Sequence, residues 1–154
     1  MPARFHIREC ALGRGLFAAE SIPAGHEILQ FTGRSMTLGQ VRSLGAAAAN
    51  ALQIGIDHYL YLDEPGRLVN HSCDPNAVVV SGHRLVARCD IAPGAEICFD
   101  YSTTVSDGWT MPCLCGTAVC RGMVVAFQLL PERLRREYAV LRHVESFILD
   151  LVGS

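Results

Sequence analysis

The chain has 154 residues, a length that suits a single domain. Half of the residues are hydrophobic and 18% are charged, a composition that supports a buried core and argues against disorder. The net charge of −2 gives no electrostatic basis for attraction to phosphates. We therefore expect no direct nucleic-acid binding.

The N-terminus and the hydropathy of the chain indicate where the protein works. Residues 1–6 lack the apolar run of a signal peptide. No segment approaches the ~18 apolar residues of a membrane-spanning helix, so we expect no membrane association and a cytoplasmic or nuclear location. In such a reducing compartment, seven cysteines favour metal binding or buried thiols over a disulfide framework.

Short apolar stretches alternate with turn residues through the first hundred residues. Residues 78–80 and 85–88 flank the sequence Ser81-Gly82-His83-Arg84, which predicts a β-hairpin. Many short strands with glycine-rich turns favour a small, irregular fold that is mostly β with some α.

One segment near residue 45 has helical periodicity. Val41, Leu44, Ala48 and Leu52 recur at spacings of three and four, although Gly45 weakens this helix prediction.

Residues 131–152 predict one C-terminal amphipathic helix. Pro131 suits a first helical position. An apolar stripe runs along the predicted helix and consists of Leu134, Tyr138, Leu141, Val144, Ile148 and Leu151. The stripe either packs on its own domain or joins two copies in a homodimer, and the sequence leaves both interpretations open.

Two polar elements are candidates for binding a ligand. The turn Gly13-Arg14-Gly15 would let backbone N–H groups approach a ligand, because glycine carries no Cβ, although a plain β-turn explains it as well. The run from Asn70 to Asn76 reads Asn-His-Ser-Cys-Asp-Pro-Asn and lies between apolar segments. Its residues are poor helix and strand formers, and such turns often carry a fold's chemistry.

Three thiols near the C-terminus have the spacing of metal ligands. Cys113, Cys115 and Cys120 form a C-x-C-x4-C pattern, one ligand short of the four that a structural zinc site normally has. Cys73, in the polar run, is a candidate for the fourth. The rival thiols are Cys10, Cys89 and Cys98. Spacing alone does not decide among them.

Taken in order, these motifs resemble those of the SET-domain protein-lysine methyltransferases. Gly13-Arg14-Gly15 is similar to the family's GxG element, and Asn70–Asn76 matches its NHSCxPN signature. Gly94–Tyr101 resembles the GEExxxDY element, with Ala95 in place of an acidic residue. The pattern from Cys113 onward looks like the family's post-SET segment.

The resemblance implies a domain organisation and a metal site. The expected parts are a SET domain over 4–108, a post-SET zinc-binding segment over 109–125 and the C-terminal helix over 131–152. The implied fold is a set of small curled β-sheets with a knot-like threading of the C-terminal segment. The family's zinc ligands carry over to Cys73, Cys113, Cys115 and Cys120.

The implied activity is methyl transfer from S-adenosylmethionine to a lysine amine of a protein substrate, such as a histone. Two further residues, Leu114 and Trp109, would cover the cofactor, although simple packing explains them as well. The residues implied to bind the cofactor are Gly13, Arg14, Gly15, Asn70, His71, Leu114 and Trp109.

Three aromatic residues are implied to form the lysine channel. Tyr101 would orient the amine, and Phe99 occupies a position that limits how many methyl groups fit, with Phe typical of di- or trimethylation. Phe31 stands where the family often has tyrosine, so a hydroxyl is missing. That departure keeps a second interpretation open, in which the chain is a catalytically inactive, zinc-stabilised interaction module.

Overall fold

The computed structural model describes residues 4–152, and the chain in that range is mostly β. The longer strands are β1 (Phe5–Cys10), β2 (Gly13–Ala18), β3 (Glu27–Gln30), β4 (Gly33–Met36), β5 (Ala51–Gly55), β6 (His58–Leu62), β8 (Ala77–Val80) and β9 (Arg84–Ala87). The two-residue strands are β7 (Asn70–His71), β10 (Cys98–Phe99), β11 (Met111–Pro112) and β12 (Met123–Val124). The α-helices are α1 (Leu38–Arg42), α2 (Glu132–Val140) and α3 (Ser146–Val152).

The strands form small sheets of two or three strands each. One sheet has the order β3–β9–β8, a second has the order β4–β6–β5, and the remaining strands pair as β1–β2, β7–β10 and β11–β12. The predicted hairpin is confirmed, because β8 and β9 pair antiparallel with Val79 opposite Leu85. Gly82 and His83 both adopt positive φ at its tip. The knot-like threading remains a prediction.

A central core joins four of these sheets. It contains fifteen buried residues: Leu16, Ala18, Ile22, Ile28, Phe31, Leu52, Leu62, Val69, Ala77, Val79, Leu85, Ala87, Ile91, Ile97 and Phe99. Burying each of the larger side chains contributes about 1.5–3 kcal/mol. The small sheets are therefore held together by their inner faces, since no single sheet is wide enough to be stable alone.

The parallel pair β7–β10 brings together two motifs that are far apart in sequence. Asn70 lies beside Cys98, and His71 lies beside Phe99. Two residues after the end of β10, Tyr101 begins a 3-10 helix that runs from Tyr101 to Thr104. The polar run and the Asp-Tyr motif therefore meet at one place.

The helix predicted around residue 45 is wrong in its extent. Helix α1 begins after Thr37, whose side chain and that of Gln40 form a reciprocal capping box, and it ends at Arg42. Gly45 has a φ of +62°, in the left-handed region that ends an α-helix. A 3-10 helix (Gly45–Asn50) follows, and Leu52 already belongs to β5.

The single C-terminal helix predicted over 131–152 is also wrong, because it is two helices. Helix α2 ends at Val140, and Arg142 has a φ of +54°. A non-glycine residue in that region breaks the α-helical path. Pro131 is the residue before the helix rather than its first residue. Within residues 4–152, no helix has the length and hydropathy to cross a membrane.

The C-terminal apolar stripe is divided between a buried and an exposed part. Tyr138, Val144 and Ile148 are each 1% exposed and form a second core cluster with Phe127 and Leu130. Leu141 and Leu151, by contrast, are exposed. Most of the stripe therefore packs on its own chain.

Candidate active site and metal centre

Tyr101 is held by hydrogen bonds at both its side chain and its backbone. Its hydroxyl donates to the backbone carbonyl of Val69 at 2.6 Å. Its backbone N–H donates to Nδ1 of His71 at 3.0 Å. Burial raises the pKa of Tyr101 above its ordinary value, so the hydroxyl stays protonated at neutral pH.

The ring of Tyr101 packs against two other aromatic rings. The ring of Phe99 lies 4.9 Å from that of Tyr101, and the ring of His71 lies 5.3 Å from it on another side. Phe31 packs against Phe99 at 5.9 Å with an edge-on geometry. These distances are typical of favourable aromatic pairs.

A cavity of about 380 Å³ opens beside Tyr101 and Phe99. Other walls come from α1, the 3-10 helix Gly45–Asn50 and the segment 107–109. Phe31 does not line this cavity; it is 2% exposed and stands behind Phe99. The mostly apolar lining next to a protonated tyrosine hydroxyl is typical of a site that binds a small apolar chain with a polar end.

Gly13, Arg14 and Gly15, predicted as a turn, are instead the first residues of strand β2, and Gly15 meets Asn70 at a crowded point. The side-chain amide of Asn70 donates to Glu96 Oε2 at 2.8 Å and to the carbonyl of Arg14 at 3.2 Å. A Cβ added at Gly15 would lie only 2.6 Å from Glu96 Oε2. A side chain at position 15 would therefore displace the Glu96 carboxylate from its place beside Asn70. Sequence reasoning gave no role to Glu96, although it lies inside the Gly94–Tyr101 motif.

The other residues expected at the cofactor have different surroundings. The Arg14 side chain is half exposed and pairs with Glu64. Trp109 lines the cavity and packs against the cysteine group. Leu114 is 77% exposed and contributes to no core cluster of the described residues.

His71 joins the aromatic site to the cysteines. Burial lowers the pKa of His71, which favours the neutral ring. Because Nδ1 accepts the hydrogen bond from Tyr101, the proton of the neutral ring is on Nε2. Nε2 lies 3.4 Å from Sγ of Cys73 and therefore donates to that sulfur.

Four thiols meet in one group, whose members are Cys73, Cys113, Cys115 and Cys120. Their sulfur atoms all lie within 4.8 Å of one another, and those of Cys73 and Cys113 are 3.6 Å apart. Four sulfurs at about 2.3 Å from a zinc ion would be about 3.8 Å apart in a tetrahedron. The group could hold zinc, and Cys73 rather than its three rivals is the fourth member.

A buried ion pair that sequence reasoning missed lies next to Tyr101. The carboxylate of Asp100 is fully buried, and Nη2 of Arg121 lies 2.7 Å and 2.9 Å from its two oxygens. In the sequence, Asp100 belongs to the Gly94–Tyr101 motif and Arg121 directly follows Cys120, but nothing in either motif indicates that the two residues pair. The pairing itself required the three-dimensional fold.

The fold is that of a SET-domain protein. The SET domain family model matches residues 13–102, which is more than half of the chain, so the chain belongs to that family.

Relatives and solved structures agree with this assignment. A histone-lysine N-methyltransferase of Cryptococcus neoformans, described as H3 lysine-4 specific, is 33% identical over 134 residues, 75% of this chain and 9% of the relative. Human histone-lysine N-methyltransferase SETD1A is 28% identical over 77% of this chain and 8% of its own length. The chain thus spans about a tenth of these relatives.

Structural similarity extends over most of the chain. The methyltransferase domain of human SETMAR superposes with a TM-score of 0.64 and 23% identity, covering 80% of this chain and 59% of that one. Arabidopsis thaliana SUVH6, solved in complex with SAM, has the same TM-score and identity, covering 80% of this chain and 33% of that one. At this identity the likeness establishes the fold.

Proposed function

We propose that this chain is a protein-lysine N-methyltransferase that uses S-adenosylmethionine. The observation that carries the proposal is the position of Tyr101. Its ring lies between His71, on the side of the polar run, and a mostly apolar cavity of about 380 Å³. An amine entering through the cavity would meet a hydroxyl and a backbone carbonyl that are already 2.6 Å apart. Family membership and the names of the relatives support the same reaction.

S-adenosylmethionine supplies an electrophilic methyl group when it is bound. The residues that would hold it are Gly13, Arg14, Gly15, Asn70, His71, Trp109 and Leu114. The Asn70 amide donates to the carbonyl of Arg14, so the residues expected at the cofactor adjoin one another. Leu114, which is exposed, would close over the ligand only if the segment around it folds inward.

The cavity would prepare the lysine amine for transfer. A free lysine has a pKa of about 10.4, and its ammonium form has no lone pair with which to attack. An apolar channel disfavours the charged form, since burial of a charge is costly. The Tyr101 hydroxyl and the Val69 carbonyl would then orient the neutral amine. Orientation of this kind contributes much of the rate in reactions between two bound groups.

Phe99 would set how many methyl groups fit. Phe99 is 4% exposed and lines the cavity, so its ring limits the space beside the amine. Phenylalanine carries no hydroxyl to hold a water there, which favours di- or trimethylation. Phe31 acts from behind by supporting Phe99.

Zinc would anchor the segment from residue 109 to 125, in the manner of a post-SET segment. The four cysteines would each provide one thiolate, a complete tetrahedral set. The ion would be structural, because a site with four protein ligands has no open position for chemistry.

The partner is a protein that presents a lysine, and a histone in the nucleus is the first candidate because the relatives are named for histones. A homodimer through the exposed part of the C-terminal stripe remains a prediction. Size-exclusion chromatography with light scattering at several concentrations would test it. A monomer at every concentration would contradict it.

The reaction is tested by incubating purified protein with labelled S-adenosylmethionine and histone H3, other histones and a cell extract. We expect label on lysine. Tyr101→Phe should lower the rate about 100-fold or more, since it removes a positioned hydroxyl. Tyr61→Phe is the matched control, because Tyr61 does not line the cavity.

Absence of transfer to any substrate, with Tyr101→Phe equal to the wild type, would contradict the proposal. Calorimetric titration with S-adenosylmethionine, together with the transfer assay, distinguishes the enzyme from an inactive interaction module: the enzyme binds the cofactor and turns it over. An inactive interaction module would still bind zinc but would show no turnover.

A further inference from the structure

A tyrosine outside the matched SET domain contacts the charged residue next to Tyr101. The hydroxyl of Tyr138, on α2, donates to Oδ2 of Asp100 at 3.0 Å. Tyr138 is 1% exposed, so water does not compete for this hydrogen bond. Burial, followed by the nearby Asp100, raises the pKa of Tyr138, and its hydroxyl therefore keeps the proton that it donates.

The ring of Tyr138 is fixed from both sides. The guanidinium of Arg88 lies 5.3 Å over its centroid, and the ring of Phe127 lies 6.4 Å away. Arg88 is itself held by Glu137, one residue before Tyr138, at 3.2 Å. These contacts hold the ring in one orientation, so its hydroxyl points at Asp100.

The donors around Asp100 have different effects on its orientation. Both oxygens contact the same nitrogen, Nη2 of Arg121, and one shared nitrogen fixes a distance but leaves the carboxylate free to tilt. Two other donors remove that freedom. The backbone N–H of Ser102 binds Oδ1 at 3.1 Å, and Tyr138 binds Oδ2.

Asp100 in turn sets the turn that carries Tyr101. Asp100 is the N-cap of the 3-10 helix Tyr101–Thr104, whose first residue is Tyr101. A tilt of the carboxylate would move Ser102 and, with it, the N–H of Tyr101 that donates to His71. Small displacements of this kind are costly in rate, because a misplacement of about 1 Å lowers turnover roughly 100-fold.

We propose that Tyr138 is a positioning residue for methyl transfer: its hydrogen bond to Asp100 orients the turn that aims the Tyr101 hydroxyl at the cavity. The C-terminal helices are then part of the active site's support. This inference rests on the proposed function of Tyr101.

The kinetic test compares Tyr138→Phe with Ile148→Val. Tyr138→Phe keeps the ring and loses the hydroxyl. Ile148→Val weakens the same core cluster, in which Ile148 is 1% exposed, without contact to Asp100. We expect Tyr138→Phe to lower kcat roughly tenfold with unchanged KM for both substrates, and Ile148→Val to leave kcat unchanged. A loss of kcat in both variants that follows their Tm would overturn the proposal.

A second measurement does not depend on activity. The chain has four tyrosines, so protein labelled with 15N-tyrosine gives four backbone amide signals. Tyr138→Phe should shift the Tyr101 signal and leave those of Tyr59 and Tyr61 in place, whereas Ile148→Val should shift none of the three. An unmoved Tyr101 signal in Tyr138→Phe would overturn the proposal. If the wild type transfers no methyl group, the proposed function fails, and this signal still decides whether Tyr138 orients Tyr101.

Discussion

The central core and the cysteine segment, residues 109–124 with Cys73, are held by different forces. The core has fifteen buried hydrophobic residues drawn from several sheets. The cysteine segment buries only Cys73, Cys113 and Val124, and its two strands have two residues each. Apolar burial is enough to order the first region. The second has too little of it and depends on its thiols, which implies that the metal would be part of its folding free energy.

Removal of one thiol should have the largest effect. We expect Cys113→Ser to lose zinc, to disorder the cysteine segment and to weaken S-adenosylmethionine binding by tenfold or more, with about a 100-fold loss of activity. The central core should still unfold cooperatively. Metal analysis, calorimetric titration, a methyl-transfer assay and thermal unfolding would measure the zinc content, the cofactor affinity, the activity and the cooperativity of the core. Cys89→Ser is the control, because Cys89 is exposed and outside the thiol group. Retained zinc in Cys113→Ser would contradict the view that the cysteine segment, unlike the core, depends on its thiols and metal.

A core substitution should have the opposite pattern. Leu85 on β9 is fully buried, and Leu85→Ala should lower the free energy of unfolding by about 3 kcal/mol, through lost burial and a residual cavity. Folded protein should still bind one zinc, because Leu85 belongs to the central core and not to the buried group around the thiols. Denaturant unfolding and metal analysis on the folded fraction check this. Loss of zinc from folded Leu85→Ala in the absence of denaturant would show that the two regions are not separable.

A substitution in the cavity wall should change the product with little effect on stability. Phe99→Tyr adds a hydroxyl beside Tyr101, whose ring is 4.9 Å away. We expect the product to shift toward monomethyl-lysine, with turnover of the first methyl within a few-fold. Mass spectrometry of the modified peptide measures the ratio. Phe31→Tyr is the comparison, because Phe31 does not line the cavity and should leave the ratio unchanged. A shift of equal size in both variants would contradict the assignment of Phe99.

The smallest expected effect is a pH dependence in the C-terminal region. Burial lowers the pKa of His143, and within residues 4–152 its buried Nδ1 has no hydrogen-bond partner. Below the ordinary histidine pKa of about 6.5, the unfolded chain therefore binds protons more readily than the folded chain, and stability falls as the pH falls. His71 has a shift in the same direction. His143→Gln should make the decline of Tm from pH 7 to pH 5 shallower, and parallel curves for the two proteins would contradict this.

Turn chemistry explains where sequence-based prediction of the fold succeeded and failed. The β8–β9 hairpin followed from two apolar strands around a glycine turn, which are local features. The two helix predictions failed because periodicity does not report backbone breaks. Gly45 and Arg142 both adopt positive φ within a few residues after a helix ends, although the apolar pattern continues past each of them. For Arg142 no sequence signal existed, since arginine is a good helix former.

The candidate site also has one part that the sequence predicts and one part that it does not. The motifs around Gly13, Asn70 and Tyr101 were recognisable because their residue types are unusual and their order is specific. The parallel pair β7–β10 brings the Asn70 and Tyr101 motifs together, and Asn70 reaches the Gly13 motif through the carbonyl of Arg14. Phe31 behind the cavity wall, Glu96 on Asn70 and the pairing of Asp100 with Arg121 and Tyr138 were not foreseeable, since each contact joins residues distant in sequence.

The sequence by itself determined the family, the mostly β composition and the candidate ligands of a zinc site, because all of these depend on residue type and order. Only the tertiary structure decided which aromatic ring lines the cavity and what supports the turn at Tyr101, and it brings Cys73 to the other three thiols as the resemblance implied. These are questions of distance between remote residues. A buried carboxylate such as Asp100 must be satisfied by whichever donors the fold brings near it, and no local pattern names those donors.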